Sequence, residues 1–140
     1  MSVCLDSFAL LAWFQNEPAA ALVEEHLAAA ASGEDVHCYI SNINLGEVYY
    51  RIARLRGPEL ADRFWDGVTR PTFPVSPIEV TRRRVREAAA LKARHPVAFG
   101  DAFAVQLAIE RRLPLLTGDP EIGALRGKEP FDLVWLPARR

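Results

Sequence analysis

Short apolar runs alternate along this chain with longer stretches in which apolar residues return every three or four positions. Residues 2–5 form the first run and read as a buried strand. A helix is expected over residues 7–14. A second, rich in Ala, Leu and Glu, opens at Glu17-Pro18, reaches about Ala31 and ends near Gly33. Residues 36–40 read as a second strand. Ser41 and Asn42 suit a helix cap. The helix that follows runs to about Arg56, with Leu45, Val48, Ile52 and Leu55 on one face, and Gly57-Pro58 ends it and starts another to about Val68. Residues 72–75 are expected as a third strand, its Pro74 pointing to an edge or a strand end. Pro77 begins a long helix to about Arg94, broken by Pro96. Residues 101–112 form a strongly apolar helix, 113–117 a fourth strand, 118–123 a turn and 133–136 a short last strand.

Strands thus alternate with helices from end to end, which predicts an α/β fold with a parallel sheet covered by helices on both faces. The strands are apolar throughout rather than alternating, as a doubly covered sheet requires. In such sheets a ligand site lies beyond the carboxyl ends of the strands. The 140 residues suit one domain spanning 1–140, half of them hydrophobic.

Composition narrows the picture by exclusion. A net charge of −1 with 25% charged residues argues against disorder and leaves no whole-molecule attraction for nucleic acid, which would have to meet a local basic surface. Cys4 and Cys38 sit in short apolar runs, too few for a disulfide framework, and read as small core residues. No apolar run reaches the roughly 18 residues a membrane span needs. The N-terminus lacks the basic flank of a signal peptide. A cytoplasmic protein without a membrane partner is expected.

Four acids stand in unusual company. Asp6 separates Val3-Cys4-Leu5 from Phe8-Ala9-Leu10-Leu11 at the end of the first strand, where it either caps the next helix or faces a ligand. Glu47 lies inside a helix; it either pairs with Arg51 one turn on or joins Asn44 and Arg51 in a polar strip facing a pocket. Gly46 beside it costs about 1 kcal/mol against Ala in a helix interior and suggests close approach of another group. Asp101, the only charge between Arg94 and Glu110, is either a cap or a carboxylate among Phe99, Phe103 and Val105 that needs a partner. Asp119 follows the fourth strand as Gly118-Asp119-Pro120, either ordinary turn chemistry or a second acid on the ligand rim. Carboxylates gathered on one rim would repel and take up protons. A hard divalent cation relieves this, and an all-oxygen set without Cys or His favours Mg²⁺ or Mn²⁺ over zinc.

In these segments the sequence resembles the PIN domains, and most closely the VapC-type toxins of toxin–antitoxin pairs. The matching pieces run from Val3 to Phe14, from Ser41 to Val48, from Gly100 to Ala108 and from Leu115 to Asp119. The resemblance implies a three-layer α/β/α sandwich around a mostly parallel sheet of four to five strands, with an acidic Mg²⁺ site that cleaves RNA to 5′-phosphate and 3′-hydroxyl ends. The family's acids fall on Asp6, Glu47, Asp101 and Asp119, its small polar residue on Ser7 and its strand-end hydroxyl on Thr117. Some relatives carry a further acid one turn into the Asp101 helix. Here that stretch is Phe103-Ala104-Val105, which leaves a second metal position without that ligand. The resemblance also implies a homodimer and a cognate antitoxin whose tail lies across the site.

For RNA, the basic candidates are Arg82, Arg83, Arg84, Arg86, Lys92 and Arg94 on the long helix and Arg51, Arg54 and Arg56 on another, with Arg51 favoured by its nearness to Glu47. Tyr49 and Tyr50 could stack on bases or pack. Trp13, Phe14, Tyr50, Phe64 and Trp65 are either core or an apolar groove for a partner helix. Receiver-like and haloacid-type phosphatase folds fit poorly: the first needs adjacent acids after the first strand, where Asp6 precedes Ser7, and the second needs an acid at position 8, which is Phe. The alternative of another class is a catalytically silent PIN-like module that binds RNA or protein.

Overall fold

The computed structural model describes residues 1–33 and 35–137. Five strands, β1 (Val3–Leu5), β2 (Cys38–Ser41), β3 (Ser76–Ile78), β4 (Leu115–Thr117) and β5 (Leu133–Trp135), form one sheet in the order β3-β2-β1-β4-β5. Every neighbouring pair is parallel. Seven helices connect them: α1 (Ser7–Phe14), α2 (Ala20–Ala31), α3 (Asn42–Arg56), α4 (Pro58–Val68), α5 (Arg82–Arg94), α6 (Phe99–Arg111) and the single turn α7 (Pro120–Gly123). Among the described residues no helix is long and apolar enough to cross a membrane.

The pleat sorts alternate strand residues into two cores. Val3, Leu5, Ile40 and Leu116 pack with Ala9 and Leu10 of α1, Val23 and Leu27 of α2, Leu45, Val48 and Ile52 of α3 and Ala61 and Phe64 of α4. Cys4 and Leu115 face the other way, onto Ala88 and Leu91 of α5, Ala102, Val105 and Leu107 of α6 and Ile122 of α7. This is the α/β/α sandwich expected from the continuous apolar strands. Cys4 and Cys38 are free and buried, and burial pushes the Cys4 thiol up to about 12.

Local chemistry sets most boundaries. Asp6, Ser41 and Thr81 each accept a backbone N–H through the side chain at the head of α1, α3 and α5. Gly57, at φ +97°, turns the chain between α3 and α4 in a conformation other residues rarely adopt.

Three expectations need correction. The third strand is not at 72–75, where Phe73 closes a turn on the Arg70 carbonyl, but at Ser76–Ile78, paired with Tyr39–Ser41. Pro77 therefore lies inside β3 instead of opening a helix. It is tolerated because β3 is the outer strand, where a missing N–H costs no ladder bond on the open side. The long helix begins five residues later, at Arg82, behind the Thr81 cap. Leu55 does not share the inward face of α3: it is 64% exposed in the last turn of the helix.

Candidate functional site

The chain builds β1, β2 and β3 outward in one direction, then crosses back through α5 and α6 to lay β4 on the opposite side of β1. The order of construction reverses between β1 and β4, and in such sheets a ligand site lies past the carboxyl ends at that point. Asp6 immediately follows β1. Thr117 ends β4, and Asp119 lies two residues on.

A line of hydrogen bonds ties the two strand ends together. One oxygen of Asp6 accepts the Ala9 N–H at 2.9 Å, and the other accepts the Thr117 hydroxyl. Thr117 Oγ1 in turn accepts the Asp119 N–H at 3.0 Å. Asp119 Oδ1 takes the Glu121 N–H at 2.8 Å and caps α7. The cap reading of Asp6 and the turn reading of Asp119 are therefore correct as far as they go, and each leaves a carboxylate at the rim. Ser7 is buried beside Asp6, but among the described residues none of the site's hydrogen bonds runs through its hydroxyl.

The other two acids come from helices. Glu47 is half-buried in the second turn of α3. It does not pair with Arg51; its Oε1 accepts the side-chain amide of Asn44 at 2.9 Å. Asp101 stands in the first turn of α6 without capping it, since Ala98 holds the cap position. Gly46 meets nothing within 4 Å, so the expected close approach there is absent. The close approach falls instead on Gly100, whose absent Cβ would lie 2.2 Å from Glu47 Oε2.

The four acids share one electrostatic field. Burial raises the Asp6 carboxyl to about 7, against the opposing bonds from Thr117 and Ala9, and the charges of Asp119 and Glu47 push it further up. Asp101 is raised to about 8 by burial, by the charge of Asp119 and a hydrogen bond to it, and then by Asp6 and Glu47. Among the described residues no arginine, lysine or histidine forms an ion pair with any of the four. Nor do any three His, Cys, Asp or Glu side chains close into a ready-made ligand cage. The chemistry of the set still fits a hard divalent cation: it is all oxygen, has no positive partner among the described residues, and includes Asp6 and Asp101, both raised by burial and by neighbouring carboxylates.

The long basic helix is mostly occupied elsewhere. Arg84 makes two bonds to Glu110 at 2.9 and 3.0 Å, Arg83 bonds Glu87 and Glu110, and Arg94 bonds Glu129. Lys92 donates to the Val97 carbonyl. Arg82 and Arg86 on this helix, and Arg51 on α3, are exposed and outside these pairs. Of the aromatics, Phe64 is buried, and Phe14 packs edge-on against it. Tyr49 and Trp65 meet edge-to-face at 5.8 Å beside a cavity of about 640 Å³ between α3 and α4, also lined by Gly46, Asp62 and Asp66.

The model of the PIN-domain family matches residues 3–128. The chain belongs to the PIN-domain family. Its fold is similar to VapBC2 of Rickettsia felis bound to a promoter DNA fragment, at 14% identity, TM-score 0.71, and coverage of 98% of this chain and 100% of that one. It is similar also to VapC20 of Mycobacterium tuberculosis, a Sarcin-Ricin loop cleaving toxin, at 18% identity, TM-score 0.68 and coverage of 88% and 94%. DNA-bound VapBC of Salmonella typhimurium follows at 16% identity, TM-score 0.67 and coverage of 96% and 97%. No curated protein sequence matches. At these identities the solved structures speak to the PIN fold, and the residues of this PIN domain must carry the functional argument.

Proposed function

We propose that this PIN domain, taken as one unit over residues 1–140, is a Mg²⁺-dependent endoribonuclease, the toxin of a toxin–antitoxin pair. The observation that carries the reading is the placement of Asp6 and Asp119 at the β1 and β4 ends, joined through Thr117, and of Glu47 seated beside Asp101, with no ion pair to any of the four among the described residues. Asp6 and Asp101 are the preferred direct ligands of Mg²⁺, with Mn²⁺ as a substitute. Glu47 and Asp119 ligate directly, hold water, or take a proton from the attacking water. When bound, the cation supplies a more acidic water and neutralises charge building on the phosphate.

The chain's own contribution is placement. Thr117 and the Ala9 N–H fix the Asp6 carboxylate at the end of β1. The Asp119 N–H orients Thr117, and Ser7 fills the space beside Asp6. Arg51, one turn beyond Glu47, offers the RNA backbone a positive charge. The paired arginines of α5 leave less for that role than their number suggests.

The similarity to VapBC complexes supports an antitoxin partner; a homodimer and a cytoplasmic setting are part of the same proposal. The open cavity flanked by Tyr49 and Trp65 is a place for part of that partner.

Cleavage of a structured RNA panel in Mg²⁺, in Mn²⁺ and in EDTA tests the reading. The parent should cut only with metal, and Asp6→Asn and Asp101→Asn should lose at least about 100-fold of the activity. Variants that cut as well as the parent would refute the site. The alternative is a silent PIN-like module that binds RNA or protein; cation uptake without cleavage of any RNA would favour it.

A further inference from the structure

Asn44 is fully buried, an unusual place for an amide one turn before an acid on a helix. Both hydrogens of its side-chain nitrogen are used. One bond goes to Glu47 Oε1 and the other to the Gly100 carbonyl, each at 2.9 Å. Its oxygen is buried without a hydrogen-bond partner. These facts fix the orientation of the amide. Turned over, its oxygen would face a carboxylate oxygen and a carbonyl oxygen, with no donor between them. The orphaned acceptor is the cost of that choice, since a buried unpaired polar atom is unfavourable by about 1–3 kcal/mol.

Gly100 completes the seat. A methyl group there would overlap the Glu47 carboxylate, at 2.2 Å from Oε2, 2.6 Å from its carbon and 2.7 Å from Oε1. The carboxylate therefore lies flat on the backbone of α6, one residue before Asp101, and Asn44 grips it from the α3 side.

We infer that Asn44 and Gly100 form a clamp that sets the position of Glu47 relative to Asp101, making Asn44 a positioning residue for cation binding. The inference rests on the reading that Glu47 belongs to a cation site. Helix α3 reaches the rim from the side, and without the clamp Glu47, with its flexible stem, would sample many rotamers. The clamp ties the acid of α3 to the helix that carries Asp101, so the two move as one. Partners of this kind behind a metal ligand typically account for 10- to 100-fold in metal affinity.

The test is Mn²⁺ binding by titration calorimetry on the folded protein, with unfolding in EDTA measured alongside. Asn44→Ala should weaken Mn²⁺ binding by about 10- to 100-fold. Gly100→Ala, which leaves Asn44 intact but fills the seat, should do the same. Gly46→Ala, on the same helix with nothing within 4 Å, should bind as the parent does. A general loss of helix packing would not follow that pattern. In a Glu47→Gln background, Asn44→Ala should add little further loss, because it acts through Glu47. If Asn44→Ala does not fold, the two glycine variants decide. A parent that binds Mn²⁺ while Asn44→Ala and Gly100→Ala bind it equally tightly overturns the clamp alone. So does an Asn44→Ala effect that is fully additive with Glu47→Gln. A parent that takes up no Mn²⁺ overturns the cation-site reading, and the clamp with it.

Discussion

Replacing Asp6 by asparagine should stabilise the metal-free protein above neutral pH while abolishing its response to Mg²⁺. The reasoning starts from burial. Asp6 is 1% exposed, and its carboxyl is raised from the ordinary 3.8 to about 7. The folded state thus holds this proton more tightly than the unfolded chain does, so stability falls as pH rises between those values. Below about pH 4 the penalty is absent. Above about 7 it is complete, and at about 1.4 kcal/mol per pH unit it reaches roughly 4 kcal/mol. Asparagine keeps the oxygen that caps α1 and removes the charge. It forfeits the charge-assisted bond from Thr117, worth about 1.5–3 kcal/mol. The net gain expected near pH 8 is about 1–3 kcal/mol, or roughly 3–10 °C in Tm for a domain of this size. Near pH 4 the gain should vanish. Thermal unfolding in EDTA across this range measures it. Saturating Mg²⁺ should then reverse the ranking, raising the parent by about 3 kcal/mol at a hundredfold excess over Kd and leaving the variant unmoved. An asparagine variant less stable than the parent near pH 8 in EDTA, with the same pH slope, would refute the argument.

Three further outcomes follow from the same geometry. Mn²⁺ should bind more tightly as pH rises from about 6 to 8 and release protons as it binds, because Asp6 and Asp101 give up protons held at about 7 and 8; calorimetry in buffers of different ionisation enthalpy counts them. Gly118→Ala should lower stability by about 1–3 kcal/mol, since its Cβ would stand 2.6 Å from the Phe8 ring and 3.0 Å from the Leu136 carbonyl; urea unfolding reads this directly. Arg84→Ala should cost stability without changing RNA cleavage and should soften acid unfolding. Glu110, held down to about 2 chiefly by its bonds to Arg84, contributes stability that is present above the ordinary 4.5 and lost as pH falls toward 2.

Much of this arrangement is legible in the sequence because two of its causes are local. The apolar runs at Val3–Leu5 and Leu115–Thr117 mark strands buried on both faces, and a parallel sheet then puts Asp6 and Asp119 on one rim. The third strand lies away from the expected 72–75 because its signal is not local. Ser76–Ile78 has a proline at its centre and little burial, and it is a strand only because β2 offers it an edge. The role of Gly46 was misjudged for a related reason. An odd glycine in a helix shows that something is unusual, but here the contact that needs a glycine lies on α6. Asn44 shares the Glu47 face by spacing alone, whereas its burial and second bond depend on the packing of α3 against α6.

The two kinds of acid therefore depend on different parts of the fold. Asp6 and Asp119 are held by strand ends joined through Thr117, so their separation is as fixed as the β1–β4 pairing. Glu47 and Asp101 are held by the packing of α3 on α6, where Asn44 and the Gly100 backbone seat the Glu47 carboxylate. The packing of α3 on α6 therefore sets one half of the candidate site. It also locates sensitivity to a partner. On the proposed reading, a partner seated over the Tyr49–Trp65 cavity would press on α3 and α4, the elements that carry and flank Glu47, and would act on the site without touching Asp6.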